Sequence, residues 1–314
     1  MKKSLRDTLR LLRPRQWIKN LAVFAALIFT GELFNPNALQ NVIYGFLIFC
    51  AISSGIYIIN DIFDIQKDRL HPFKKFRPLA HGDIPVSWAI TIAAILIISS
   101  LVWSFFITPG FFLIAVVYLL LQFSYSAFLK HIAVIDILAL AGGYILRVYA
   151  GEVVSGYHIS VWLLLTTISL SLFLAIGKRR RELTLISEQT GANIAAVRKS
   201  LSHYSERLLD VYASIFATST FISYALFTFL GYSNNISVAN ELLLPQFLPE
   251  YLNRKWLMIT IIPVVYGLMR YLQDIYEKHQ GESPEKVLFS DKPLLATVLL
   301  WGLLVIFIIY GIGA

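Results

Sequence analysis

The sequence predicts an all-α integral membrane protein with nine transmembrane helices in a single domain, residues 1–314. The composition is the first reason, since 57% of the residues are hydrophobic and 15% are charged, against about 25% charged residues in soluble domains. The second reason is a series of nine apolar stretches, each close to the roughly 20 residues that a helix needs to cross a bilayer core. The third is the concentration of Lys and Arg in alternate loops.

The predicted helices follow one another along the whole chain. Ahead of the first span, Leu5, Leu9 and Leu12 recur at helical spacing among arginines. This pattern predicts an amphipathic helix at the membrane interface within residues 1–16. The nine predicted spans are 17–34, 39–61, 88–107, 110–129, 132–152, 160–178, 208–232, 254–272 and 293–313.

Lys and Arg set the predicted orientation. Of the 27 such residues, 23 lie in the N-terminal segment or in the loops after the second, fourth, sixth and eighth spans. Cytoplasmic loops carry an excess of positive charge, so we expect a protein of the cell membrane whose N-terminus and four basic loops face the cytoplasm. The net charge of +8 follows from this distribution, and we therefore expect no nucleic-acid partner.

Two of these loops are long, residues 62–87 and 178–207, and we expect both to form part of a cytoplasmic active site. Pro72 and Pro78 divide the first loop, so it cannot form one continuous helix. The loops predicted on the opposite side are minimal by comparison. The polar residues of the chain are thus concentrated at one membrane face.

A cluster of acidic and amide side chains marks the end of the second span. Asn60, Asp64 and Asp68 are spaced i, i+4, i+8, and Asp61 lies three residues before Asp64, so a continuous helix places all four on one face. Carboxylates this close repel one another unless a cation lies among them. Their oxygens suit Mg²⁺, which takes one or two carboxylates and completes its shell with water and phosphate oxygens.

Basic residues follow the acidic cluster directly, and Lys74 and Arg77 are expected to contact phosphate. The segment as a whole therefore predicts a site for a Mg²⁺–diphosphate group at the membrane surface. One alternative is a solvated helix end whose charges pair with one another. Another is a transporter, although transporter sites usually lie near the membrane midplane and these carboxylates lie at one face.

Further candidate residues lie at the same predicted face. Arg15 and Lys19 are spaced i, i+4 and could reach an anionic headgroup, with simple membrane anchoring as the alternative. Lys130 could bind phosphate at the interface. The Tyr125 hydroxyl could reach into a cavity, or the ring could belong to an interfacial aromatic belt.

Other cations are expected to be structural. Arg147, within the fifth span, is predicted to lie near the outer surface and to pair with Glu152. Arg180 and Arg181 belong to a run of four cations that cannot all face one site, so both are predicted to contact lipid headgroups.

The pattern Asn60-Asp61-x-x-Asp64-x-x-x-Asp68 resembles the N-D-x-x-D-x-x-x-D signature of the UbiA superfamily of intramembrane prenyltransferases. The segment YSAFLK, residues 125–130, and the nine-helix layout agree with this resemblance, which runs essentially from end to end. It implies a helical bundle around a cavity open to the cytoplasmic side. One departure is informative, because the second Asp-rich motif of the superfamily is replaced by GKRRREL, residues 177–183.

With this departure the chain is similar to one branch, the decaprenyl-phosphate phosphoribosyltransferases. That branch implies Mg²⁺-dependent transfer of 5-phosphoribose from phosphoribosyl diphosphate to polyprenyl (decaprenyl) phosphate, for synthesis of cell-envelope arabinan precursors. The alternative is a prenyltransferase that joins a prenyl diphosphate to an aromatic acceptor. The sequence leaves the oligomeric state open between monomer and homo-oligomer. The matching segments are RPRQWIKN (13–20), NDIFDIQKDRLHPFKKFRP (60–78), KRRREL (178–183) and TGANIAAVRKSL (190–201).

The resemblance also implies roles for individual residues. Asp61 and Asp64 would be catalytic, and together with Asn60 and Asp68 they would hold Mg²⁺. The residues expected to bind substrate are Arg15, Lys19, Asn60, Lys74, Arg77, Tyr125, Lys130, Lys178, Arg179, Glu182 and Arg198.

Overall fold

The computed structural model describes residues 2–70, 74–187, 199–230, 256–277 and 284–312. Every regular element within these ranges is a helix, and they contain no β-strand, which confirms the predicted all-α class. The α-helices are α1 (Lys2–Leu12), α2 (Ala25–Phe29), α3 (Pro36–Phe63), α4 (Ile65–Leu70), α5 (Pro78–His81), α6 (Val86–Ile107), α7 (Pro109–Ala127), α8 (Ile135–Ser155), α9 (Val161–Ser187), α10 (Glu206–Leu230), α11 (Ile261–Glu277), α12 (Pro284–Ser290) and α13 (Lys292–Ile306).

Eight helices among the described residues are long and apolar enough to cross a membrane. Six of them are α3 and α6 to α10. The other two are composite, because a 3₁₀ turn precedes α11 and a π-helical turn follows α13. All eight coincide with the second to ninth predicted spans.

The first predicted span, residues 17–34, has a different structure. It consists of a 3₁₀ helix, Pro14–Phe24, followed by the five-residue α2. This segment runs antiparallel to α3: near one end Trp17 Nε1 donates to Ser54 Oγ at 3.0 Å, and at the other Asn35 caps the N-terminus of α3. The segment thus follows the length of α3 without forming one long α-helix.

Close packing holds the 3₁₀ helix against α8. Gly151 lies directly over the backbone of Val23, and a β-carbon at residue 151 would fall on the Val23 carbonyl oxygen. Val23 and Leu27 are fully buried in a cluster that also contains residues of α3, α7 and α8. Three helices therefore enclose the N-terminal segment.

Large apolar side chains cover the outside of the bundle. Phe106 and Val161 are 78% and 77% exposed, and Ile262 and Leu303 are exposed to a similar degree. Soluble monomers rarely carry extended apolar surface of this kind, whereas a lipid-facing helix requires it. This distribution supports the reading of the eight helices as membrane spans.

The segments at the predicted cytoplasmic face fold onto the bundle. In the first long loop, α4, a 3₁₀ turn (Lys74–Phe76) and α5 replace a single helix, as the prolines predict. Leu11 of α1 is fully buried against Ile58 and Leu79, so α1 packs on protein as well. In the second region α9 continues to Ser187, beyond the predicted end of that span, and the basic segment 178–183 is therefore helical.

Candidate active site

The acidic cluster lies where α3 passes into α4. α3 ends at Phe63, but helical bonding continues across the junction. Asp64 N donates to Asn60 O at 3.0 Å, and Asp68 N donates to Asp64 O at 2.8 Å. The predicted i, i+4, i+8 register of Asn60, Asp64 and Asp68 is therefore kept through the break.

Arg77 joins two of the three carboxylates. Its Nη1 atom lies 3.0 Å from Asp61 Oδ1 and 2.6 Å from Asp68 Oδ2, and Arg13 contacts the same Asp61 oxygen. Asp61 and Asp68 are both buried. The two guanidinium groups thus supply the counter-charge that buried carboxylates require.

Asp64 faces a different cation. Lys130 Nζ lies 3.7 Å from Asp64 Oδ1, and the two side chains are 18% and 31% exposed. Lys130 belongs to a 3₁₀ turn, Leu129–His131, that follows α7. Asn60 is half-buried. Two separate helix ends therefore meet at Asp64.

The second basic segment contributes a buried ion-pair network. Arg179 on α9 is fully buried. Its Nε lies 2.6 Å from Asp136 Oδ2, its Nη1 lies 2.5 Å from Glu182 Oε2, and its Nη2 donates to Tyr125 Oη at 2.7 Å. The structure thus brings together three residues predicted to bind substrate, Tyr125, Arg179 and Glu182, and bonds Arg179 to protein groups on three sides.

Asp136 connects this network to the segment after α9. It accepts from Tyr204 Oη at 2.7 Å and from Ser200 Oγ at 3.2 Å, and Ser200 Oγ also donates to Lys130 O at 2.9 Å. Burial raises the pKa of the Tyr204 hydroxyl above its ordinary value, so Tyr204 stays protonated as a donor. The network therefore also supports the backbone of Lys130.

Arg180 and Arg181 do not face lipid headgroups. Arg180 Nε lies 2.7 Å from Asp210 Oδ1, and Arg180 Nη2 lies 3.2 Å from Glu206 Oε2. Arg181 is 3% exposed and interacts electrostatically with Asp274 of α11. The prediction for both residues is wrong because α9 continues as a helix packed against α10 and α11, which turns these cations inward.

Lys19 and Arg15 lie in different surroundings. Lys19 Nζ is 3.1 Å from Glu285 Oε1 of α12, with the two side chains 18% and 7% exposed, whereas Arg15 is exposed. Their i, i+4 spacing implies a shared face only on an α-helix. A 3₁₀ helix has 3.0 residues per turn, so residues four apart point in different directions.

Arg147 lies in the interior of α8. Its Nε donates to Asn20 Oδ1 at 2.7 Å and its Nη2 donates to Tyr118 Oη at 2.6 Å, while Glu152 Oε1 lies 2.6 Å from His158 Nδ1. The predicted pairing of Arg147 with Glu152 is therefore wrong. Residues five apart on an α-helix lie on different faces, which explains why the two side chains do not meet.

For three predicted substrate-binding residues, the structure gives no contact with the groups described above. Arg198 and the side chain of Lys74 lie outside the described part of the chain. Lys178 is half-buried on α9. Their predicted roles stay predictions.

The described residues contain no group of three His, Cys, Asp or Glu side chains placed to hold a metal ion by themselves. Mg²⁺ does not require such a group, since it commonly uses one or two carboxylates together with water and phosphate oxygens. Asp61 and Asp68 already share one positive charge on Arg77. The oxygen donors of this cluster therefore fit a divalent cation in kind, while Arg13, Arg77 and Lys130 balance the charge of the three carboxylates in this structure.

Three charged residues of this region were not among the predicted site residues. Arg13 begins the matching segment 13–20 but was given no role of its own, although Pro14 after it marks a change of backbone direction, and Arg13 has φ 52°. Asp136 is a carboxylate inside an apolar span, which is itself a signal for a functional or paired residue. Glu285 has no local signal, because its partner Lys19 is distant in sequence.

Comparison with known proteins identifies the family and the fold of this chain. Residues 21–290 match the profile of the UbiA prenyltransferase family. The decaprenyl-phosphate phosphoribosyltransferase of Corynebacterium glutamicum is 37% identical over 98% of this chain and 88% of its own length. That of Mycolicibacterium smegmatis is 37% identical over 93% of this chain and 89% of its own. A solved UbiA homolog from Archaeoglobus fulgidus, bound to GPP and Mg²⁺, has the same fold, with a TM-score of 0.67, 21% identity and coverage of 96% of this chain and 99% of that one.

Proposed function

Because this chain belongs to the UbiA prenyltransferase family, we propose that it is a membrane-bound transferase that moves 5-phosphoribose from phosphoribosyl diphosphate to a polyprenyl phosphate, such as decaprenyl phosphate. The products are polyprenyl-phosphoryl-5-phosphoribose and diphosphate. The observation that carries the proposal is the 37% identity to a decaprenyl-phosphate phosphoribosyltransferase over 98% of the chain. Such a product would serve as a precursor for cell-envelope arabinan.

The second basic segment supports the choice of substrate. A site for a prenyl diphosphate held by two Asp-rich motifs would need carboxylates near the end of α9. In this chain the segment 178–183 has four consecutive cations and Glu182 as its one acid. The chain therefore has one Asp-rich motif rather than two, which suits two phosphorylated substrates beside a single metal site better than a prenyl diphosphate held by two.

Asn60, Asp61, Asp64 and Asp68 would hold the metal ion. When bound, Mg²⁺ would neutralise negative charge that grows on the leaving diphosphate. Arg13, Arg77 and Lys130 are the protein groups next to these carboxylates, so they could turn from the aspartates to phosphate oxygens when a substrate binds. Cations that contact the leaving diphosphate would stabilise the charge that develops on it in the transition state.

The acceptor needs no general base. A phosphate monoester is largely ionised at neutral pH, since its second pKa is about 6. Its oxygen can attack C1 of the ribose while the bond from C1 to the diphosphate breaks, through an oxocarbenium-like centre. Attack from the face opposite the diphosphate inverts the configuration at C1.

We further propose that the segment 14–29 crosses the membrane as a ninth span and that the site opens to the cytoplasm. A 3₁₀ helix rises about 2.0 Å per residue, so its eleven residues cover about 22 Å and α2 adds about 7 Å. The basic loops support the cytoplasmic orientation in a cell membrane.

The proposal is tested with purified protein, Mg²⁺, polyprenyl phosphate and phosphoribosyl diphosphate labelled in the ribose. We expect label to enter the organic phase only when the lipid phosphate and a divalent metal are both present. A parallel reaction contains a prenyl diphosphate and an aromatic acid. Turnover of that pair, with no label in the lipid of the first reaction, would replace the proposal by an aromatic prenyltransferase.

A further inference from the structure

Glu285 reaches into the bundle to pair with Lys19. The two charged atoms are 3.1 Å apart, and the side chains are 7% and 18% exposed. A buried ion pair needs good geometry to repay the desolvation of both charges, and the loss of either partner leaves an uncompensated charge. Such a pair calls for an explanation in terms of either stability or function.

The helix that carries Glu285 is fixed at its far end. Asp291, directly after α12, accepts from Leu294 N at 2.8 Å and pairs with Arg270 Nη2 at 2.9 Å. Val287 is buried in the same core cluster as Leu183 of α9. The carboxylate of Glu285 therefore approaches Lys19 from the beginning of a short helix that is anchored behind it.

Lys19 is fixed by its own neighbours. Asn20, the next residue, donates to Ser53 Oγ at 3.1 Å and accepts from Arg147. Arg13, six residues before Lys19, contacts Asp61 of the acidic cluster. Since the backbone between Arg13 and Lys19 is a 3₁₀ helix, Lys19 lies about 12 Å further along the segment. One rigid element thus presents one cation to the acidic cluster and another deeper in the bundle.

The charged side chains of the site pair with one another. Asp61 and Asp68 have arginine partners, and Asp64 has Lys130. Lys19 has Glu285. Each of the three aspartates and Lys19 is thus neutralised by a protein group of the sign that its expected ligand would carry.

We propose that Glu285 is an internal counter-ion, which occupies Lys19 until a substrate phosphate monoester takes its place. The proposal rests on the phosphoribosyl transfer proposed above, in which the 5-phosphate of the donor and the phosphate of the lipid are both monoesters. Binding exchanges one anion for another at Lys19, so Lys19 keeps a partner while the Glu285 carboxylate loses one, and this loss opposes phosphate binding. Glu285 then lowers the affinity for the phosphate and Lys19 raises it.

This proposal predicts opposite changes in substrate affinity for two variants that break the same ion pair. Glu285→Gln removes the competing anion and should lower the Kd of the substrate that binds at Lys19 by about tenfold, the equivalent of roughly 1.4 kcal/mol. Lys19→Met removes the cation and should raise the same Kd by about tenfold. A purely structural pair would instead lose stability in both variants and shift the Kd in the same direction.

The Kd of each substrate is measured by isothermal titration calorimetry on the detergent-solubilised protein in buffer that contains Mg²⁺. Phosphoribosyl diphosphate and polyprenyl phosphate are titrated in separate experiments. A shift confined to phosphoribosyl diphosphate assigns Lys19 to the 5-phosphate, and a shift confined to the lipid assigns it to the lipid phosphate; either result supports the proposal. Three results would overturn the proposal: a Kd that changes in the same direction in both variants, a Kd that changes equally for both substrates, or no change in either Kd. Titration needs no turnover, so wild-type protein that binds both substrates without transferring ribose would contradict only the proposed function.

Glu277→Gln is the matched control, since it removes one carboxylate that does not contact Lys19. The Glu277 carboxylate is exposed on α11 and accepts a hydrogen bond from Gln273 Nε2 of the same helix at 2.7 Å. This substitution should leave both affinities unchanged. If Glu285→Gln does not fold, Glu285→Asp takes its place: the shorter side chain weakens the contact with Lys19 and should lower the same Kd by a smaller factor. A Glu285→Asp protein with wild-type affinity for both substrates would also overturn the proposal.

Discussion

Asp64 differs from the other two aspartates of the cluster in its surroundings. Its side chain is 31% exposed and its cation lies 3.7 Å away, whereas the Asp61 and Asp68 side chains are 4% and 5% exposed and pair at 3.0 Å and 2.6 Å with Arg77. An exposed and weakly paired carboxylate exchanges its partner most easily. Asp64 is therefore the carboxylate best placed to take part in metal binding without first breaking a buried contact.

Asp64→Asn should lower kcat by about 10²–10³, the usual loss when one electrostatic contact to a transition state is removed. It should change the melting temperature little, because the pair with Lys130 is partly exposed. Initial rates over a series of Mg²⁺ concentrations provide the measurement, and we expect the metal dependence to move to higher concentration.

Asp83→Asn is the control for this substitution. Asp83 lies in the same long loop, and its carboxylate contacts His81 at 3.1 Å rather than the acidic cluster. Its activity and metal dependence should match those of the wild type. An Asp64→Asn protein that kept wild-type turnover and metal response would show that the acidic cluster is only a charged helix end.

At this scale the i, i+4, i+8 spacing of Asn60, Asp64 and Asp68 predicted their helical register correctly, whereas the i, i+4 spacing of Arg15 and Lys19 did not, because those residues lie on a 3₁₀ helix. The approach of Lys130 to Asp64 agrees with the expectation that both belong to one site. The Arg13–Asp61 and Lys19–Glu285 contacts were not predicted, because each depends on how the N-terminal segment crosses the bundle. No local pattern records such a crossing.

Among the elements, the 3₁₀ helix 14–24 departs furthest from expectation. Hydropathy registers its apolar composition, but it does not distinguish a 3₁₀ helix from an α-helix. The type of helix depends instead on tertiary anchors, such as the Trp17–Ser54 and Asn20–Ser53 hydrogen bonds to α3. The end of α9 shows a related limit: charged residues after position 177 predicted the end of the span, yet α9 continues through them to Ser187, where Arg179 pairs with the buried Asp136.

The close approach of α8 to the 3₁₀ helix gives a test at the scale of elements. Gly151→Ala should push the two apart, since the new methyl group meets the Val23 backbone rather than a flexible side chain. Overpacking of this kind costs about 1–3 kcal/mol and should lower the melting temperature. Because Lys19 and Arg13 are carried on the displaced element, we also expect lower activity.

Gly267→Ala is the matched control, because a β-carbon at residue 267 of α11 meets nothing within 4 Å. It should leave activity unchanged and the melting temperature equal or slightly higher, since Ala favours a helix over Gly by about 1 kcal/mol. If Gly151→Ala melted like Gly267→Ala, the packing of the 3₁₀ helix against α8 would be incorrectly described.

For the whole molecule, the sequence predicted seven of the eight long spans to within about five residues at each end, while α9 extends to Ser187, beyond its predicted end at 178. Lipid imposes this accuracy, because every turn of an exposed helix must be apolar and the backbone must be bonded internally. The α3 and α6 spans, for example, were predicted as 39–61 and 88–107 and are found as Pro36–Phe63 and Val86–Ile107. Orientation is a separate question, since the positions of the helices are the same whichever end of the bundle faces the cytoplasm.

Cysteine labelling tests the orientation and the ninth span together. The background is Cys50→Ser, which removes the single native cysteine, a buried residue. Single cysteines are then placed at Asn37 and Ser87, which are exposed near the N-termini of α3 and α6, and at Ser4 of α1. Sealed right-side-out and inverted vesicles are treated with a membrane-impermeant maleimide.

We expect Ser87→Cys to react only in inverted vesicles and Asn37→Cys only in right-side-out vesicles, because the basic loops retain Ser87 in the cytoplasm. Ser4→Cys should react from the same side of the membrane as Ser87→Cys.

α1 packs at the same end of α3 as Leu79 and Ile84, so the chain between residues 14 and 29 must cross the membrane to reach Asn35 at the other end. Reaction of Ser4→Cys from the side of Asn37→Cys would leave eight spans and a re-entrant N-terminal segment. If Ser87→Cys reacted only in right-side-out vesicles and Asn37→Cys only in inverted ones, the acidic cluster and its substrates would lie at the outer face.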